Sequence, residues 1–92
     1  MKQFNADVLS FDRELLIPNV RISLGEGDNG STNHYGTFTL PADTAKMLEI
    51  GLYHIRLNDG SSGDIIINEV QTRRSETRIE FVVSGALDFS FL

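Results

Sequence analysis

Apolar and polar residues alternate most cleanly from Tyr53 to Leu57, where Tyr53, Ile55 and Leu57 interleave with His54 and Arg56. A period of two marks a strand with one dry face and one wet face. Asn58-Asp59-Gly60-Ser61-Ser62-Gly63 follows, dense in residues that accept turn conformations. Asp64 to Val70 then reads as a second strand, and the two predict a hairpin. Arg73-Arg74-Ser75-Glu76 predicts the next turn. From Thr77 to Val83 the pattern sends Ile79, Phe81 and Val83 inward and Arg78 and Glu80 outward, completing a three-stranded meander. Leu87-Asp88-Phe89-Ser90-Phe91 alternates again and predicts a closing strand, which needs a surface to pack on, either its own barrel or a neighbouring subunit.

The N-terminal half is less regular. Phe4, Ala6 and Val8 share one face, whereas Leu9 and Phe11 belong to the other, and this phase change predicts a β-bulge near Val8 and Leu9. Leu15 to Ile17 is stopped by Pro18, which favours an edge position. Val20, Ile22 and Leu24 alternate with Arg21 and Ser23 as a strand should. Gly25 to Asn33 predicts a mobile, glycine-rich loop, and Tyr35 to Leu40 resumes extended structure with Phe38 and Leu40 on one face. Pro41 to Ile50 carries helix formers behind a proline suited to a first turn, with Gly51 placed as a C-terminal cap. Ala45, Leu48 and Leu52 are the residues expected to cover one end of a barrel.

Size and composition narrow the picture. Ninety-two residues make a single domain, 1–92, and a hydrophobic fraction of 40% with 23% charged residues is that of an ordinary folded chain. Cysteine is absent, which removes disulfides, thiolate zinc sites and cysteine nucleophiles. The N-terminus lacks the apolar run of a signal peptide, and no stretch approaches the roughly 20 apolar residues of a membrane span, so a soluble cytoplasmic protein is expected. Asn29-Gly30-Ser31 matches a glycosylation sequon only formally. A net charge of -5 argues against general nucleic-acid binding.

Gly36-Thr37-Phe38-Thr39-Leu40-Pro41, Gly51 to Gly60 and Asp64-Ile65-Ile66-Ile67 together resemble a family of small uncharacterised bacterial proteins. That family carries Gly-x-Phe-x-Leu-Pro, then Tyr-x-Leu-x-Leu-x-Asp-Gly, then an isoleucine-rich strand. The resemblance covers about half of the chain. It implies a bacterial β-barrel protein and brings no function with it.

The candidate chemistry is sparse. Arg56, Arg73, Arg74 and Arg78 all lie in the C-terminal half. If strands 53–57 and 77–83 flank the isoleucine-rich strand, Arg56 and Arg78 project from one outer face with Arg73 and Arg74 at its rim, a patch able to hold a phosphate, a carboxylate or an acidic segment. Glu69, Glu76 and Glu80 lie in the same stretch, and pairing across a solvated sheet is the plainer account of these charges. The PilZ domain, a six-stranded barrel that binds cyclic di-GMP, uses Arg-x-x-x-Arg ahead of the barrel and Asp/Asn-x-Ser-x-x-Gly on a strand. Asp59-Gly60-Ser61-Ser62-Gly63 is similar but one residue short, and Arg74 to Arg78 has the spacing but follows instead of preceding. A polar hairpin turn is the favoured reading.

His34 and His54 are the only histidines, read as surface residues rather than metal ligands, and the loop from Gly25 to Gly30 lacks the ligand pattern of a calcium-binding hand. Asp43-Thr44-Ala45 matches the aspartic-protease triplet but opens a helix instead of sitting between strands. Ser61 and Ser62 lack a nucleophile elbow. The expectation is an all-β, mainly β protein: a small barrel or roll of about six to seven antiparallel strands with one short helix near residues 42–50. It has no catalytic residue, metal ligand or cofactor, and works as a non-enzymatic binding or protein-interaction module. A protein partner or homo-oligomer forms through Leu87, Phe89 and Phe91. The alternative is a small-anion or nucleotide sensor, PilZ-like, that uses Arg56, Arg73, Arg74 and Arg78.

Overall fold

A computed structural model describes residues 2–26 and 34–84. Six strands and one helical turn succeed one another: β1 (Lys2–Leu9), β2 (Leu15–Glu26), β3 (His34–Pro41), α1 (Ala42–Ala45), β4 (Gly51–Leu57), β5 (Ser62–Arg73) and β6 (Glu76–Ser84). They close an antiparallel barrel in the order β1-β2-β3-β6-β5-β4. Two meanders are thus joined by β3 against β6, and β1 seals against β4 from Ala6–Leu57 to Leu9–His54. The fold is the small all-β barrel that the alternation predicts. The expected strand at 87–91 and the glycine-rich stretch 27–33 lie outside the described residues.

The core is the inward half of the pattern. Ala6, Val8, Val20, Ile22, Leu24, Phe38, Leu40, Ile55, Leu57, Ile79, Phe81 and Val83 are all buried, joined by Ile65 and Ile67 from β5. Each such side chain contributes about 1.5–3 kcal/mol when fully removed from water. Phe81 lies across Gly36, its partner on β3, and fills the space a side chain would need: an added Cβ would stand 2.4 Å from Phe81 Cζ and 2.6 Å from the Ser23 carbonyl oxygen. Thr77, the one polar residue fully inside among those described, shares a hydrogen bond with Thr72 (Oγ1–Oγ1 2.9 Å).

One local expectation is met and others are corrected. The irregularity in the first hairpin falls where the phase change placed it, between Ala6 and Leu9, but the extra residues belong to β2. Asn19 takes a left-handed φ of 52° there, and its N–H donates to Asp7 Oδ1 at 2.9 Å. Phe11 is not on an inner face; it stands exposed in the β1–β2 turn. The helix is one turn, Ala42–Ala45, and Gly51 does not cap it but opens β4. Ala45 and Leu48 do reach the core, whereas Leu52 points outward.

Candidate functional site

The barrel separates Arg56 from the other three arginines. Arg56 stands on β4 opposite Ser62, whereas Arg78 stands on β6 opposite Gln71. Along β5 those partners are nine residues apart, roughly 30 Å at about 3.3 Å per residue. Arg56 is also engaged: its Nη2 donates to Asp7 Oδ2 at 3.0 Å. The Asn19 amide and then Arg56 hold the Asp7 carboxyl below its ordinary range. Arg56 therefore fastens the β1–β4 seam. Arg74 occupies the β5–β6 turn with φ 56°. Close by, Arg73 and Arg78 line a small depression with Thr39, Gln71 and Glu76. The Asp59–Gly63 motif, in the β4–β5 turn, is likewise at the opposite end of β5 from Arg74 and Arg78.

Other candidates take structural places. Asp43 lies on α1, and Lys46 Nζ is 3.5 Å from its Oδ1 on the surface. His54 Nδ1 meets Asp64 Oδ1 at 2.8 Å across β4 and β5, and Arg13 Nη2 approaches the same oxygen at 3.6 Å. A carboxylate-oriented imidazole needs a nucleophile to become a triad. The nearby Ser10 hydroxyl is engaged elsewhere, donating to Asp12. Among the described residues no three His, Asp or Glu side chains converge as a metal-binding group. No helix among them is long and apolar enough to cross a membrane.

What stands out is the outer face of the sheet. Leu52 is paired with Ile66, Ile66 with Val82, and Val82 with Tyr35. These four side chains form one unbroken row across β4, β5, β6 and β3 on the wet side of the wall. Leu52 is 40% exposed, Ile66 39% and Tyr35 43%. Ile50, which precedes β4, is exposed as well. Paired positions on a face that a barrel keeps in water are ordinarily polar. A contiguous apolar patch there is a candidate interaction surface.

The signal for this row was present in the chain. A strand of period two cannot bury all of Ile65-Ile66-Ile67, so the middle one must face out. The same holds for Val82 between Phe81 and Val83. The β5–β6 and β4–β5 registers then bring these outward exceptions into line.

Two further rows share the face. Next to the apolar row, Glu69 pairs with Glu80 and Glu80 with Thr37. Hydrogen bonding and repulsion between the two carboxyls raise the Glu69 pKa above its ordinary value. Beyond them, Thr39, Arg78 and Gln71 form the third row. Compared with known proteins, the chain matches no family model, no curated protein and no solved structure.

Proposed function

We propose that this chain is a non-enzymatic interaction module that self-associates, the apolar row Leu52–Ile66–Val82–Tyr35 of one copy being covered by Leu87, Phe89 and Phe91 of a second. The observation that carries this reading is the row itself: four register-paired apolar side chains on the outer face of a closed wall.

Energetics favour a second copy as the occupant. Half-exposed side chains in the row offer about 1 kcal/mol each, against an association cost of about 4–15 kcal/mol. Leu87, Phe89 and Phe91 add about 1.5–3 kcal/mol apiece when buried, and a two-fold exchange counts every contribution twice.

Native mass spectrometry of the full chain, and of the chain ending at Ser84, tests the proposal. The full chain is expected as a dimer and the shortened chain as a folded monomer, its far-ultraviolet circular dichroism unchanged. A monomeric full chain overturns the proposal, and so does a shortened chain that keeps the dimer.

A further inference from the structure

β2 and β3 are zipped only at one end. Their pairing runs from Glu26–His34 to Ser23–Thr37 and stops. Beyond it β2 continues back to Leu15 with only β1 beside it, and β3 continues to Pro41 with only β6. The divergence opens a cleft of about 510 Å³ in the outer wall. Arg21 lies on the β2 side and Arg78 on the far side, with Ser23, Thr37 and Thr39 between them and Gln3 at the rim.

The lining is one-sided in its chemistry. Among the described residues it contains two guanidinium groups and three hydroxyls, all able to donate hydrogen bonds, and no carboxylate. In a chain of net charge -5 a cleft whose described lining holds no acid is conspicuous. Arg21 is already oriented: its Nε donates to Gln3 Oε1 at 2.6 Å, and its two terminal nitrogens make no hydrogen bond to a described residue. Arg78 has a weak claim on it, Nη2 lying 3.9 Å from Glu80 Oε1, beyond hydrogen-bonding reach. Both arginines are exposed to solvent and reach the cleft from different strands.

We infer that this cleft is a binding site for a tetrahedral oxyanion, the phosphate group of a small molecule, held between Arg21 and Arg78 and seated on the Ser23, Thr37 and Thr39 hydroxyls. Guanidinium groups match phosphate oxygens in pairs. Two forks and three hydroxyls supply more donors than one carboxylate can accept, and a phosphate has the oxygens to use them. This assignment moves the anion site away from the arginines grouped by the sequence, keeping Arg78 and replacing Arg56, Arg73 and Arg74 by Arg21. It is independent of self-association, since the apolar row and the cleft lie at different positions along β3 and β6.

Titration of the full chain with sodium phosphate at constant ionic strength, followed by amide nuclear magnetic resonance, tests it. Saturable shifts are expected at residues 21, 37, 39 and 78, with sodium acetate binding at least tenfold more weakly. Arg21→Gln and Arg78→Gln should each weaken phosphate at least tenfold, whereas Arg56→Gln, on the other side of β1 from Arg21 and tied to Asp7, should leave it unchanged. Arg78→Lys keeps the charge but not the fork and should fall between. Shifts that grow with phosphate without saturating overturn the site, as do acetate binding as tightly as phosphate and equal losses in all three glutamine variants.

Discussion

The apolar row and the arginine cleft are built on the same two strands, yet they present opposite chemistry to solvent. Going down the outer face of β6, Val82 gives way to Glu80 and then to Arg78; on β3, Tyr35 gives way to Thr37 and Thr39. Inside the barrel the corresponding positions, Phe81 and Ile79, Phe38 and Leu40, are all buried hydrocarbon. The inner face tolerates one chemistry only, because anything polar there is expensive without a partner. The outer face is free to vary, and it varies in register-paired rows: apolar, acidic, then basic and hydroxylic. Function, if a small barrel has one, is written on the face that packing leaves unconstrained.

The largest expected effect breaks both regions together. Gly36→Val puts a branched side chain against Phe81 and the Ser23 carbonyl, and the carbonyl is backbone that cannot step aside. Overpacking of this kind costs about 1–3 kcal/mol, read as a lower urea midpoint, with both dimerisation and phosphate binding reduced as the β2–β3 zipper loosens. Unchanged stability would show that the zipper does not hold the two regions in place.

A smaller effect separates the structural arginine from the others. Asp7→Ala removes the acceptor for the Asn19 amide and the partner of Arg56, a loss of about 1–2 kcal/mol. Because the folded protein lowers the Asp7 pKa, its contribution is present above the unfolded value, about 3.9, and disappears as pH falls through the folded one. Urea unfolding at pH 6 and at pH 2.5 should therefore show the difference between wild type and Asp7→Ala shrinking in acid. A difference that stays constant would remove the ionic part of this account.

The smallest effect concerns the acidic row that divides the two regions. Glu69 has its pKa raised by Glu80, so the pair favours the folded state below the unfolded pKa and loses that advantage as pH rises through the folded value. Glu69→Gln should flatten the decline in stability from pH 4 to pH 7. A steeper decline in the variant would reverse the sign argued here.

Most of the fold was legible because burial enforces alternation. Tyr53 to Leu57, Val20 to Leu24 and Thr77 to Val83 repeat every two residues, and each became the strand and the facing that the repeat implies. Less was legible where local and tertiary demands conflict. Pro41 to Ile50 has helix-forming composition over ten residues, but Gly51 is taken by β4 and only one turn survives. The sites were hardest, since both depend on register. Arg21 and Arg78 are far apart in the chain and meet only through β3, while Arg56 and Arg78 share a segment yet lie at opposite ends of β5. Ile66 was the missed clue, one isoleucine too many for one face.

Sedimentation equilibrium of the full chain beside Ile66→Ser tests the central claim most directly. Ile66 is part-exposed, so the substitution should leave the urea midpoint within about 0.5 kcal/mol of wild type while weakening the dimer at least tenfold. An Ile66→Ser protein that associates as strongly as the wild type would contradict the assignment of the outer row as the surface through which copies meet.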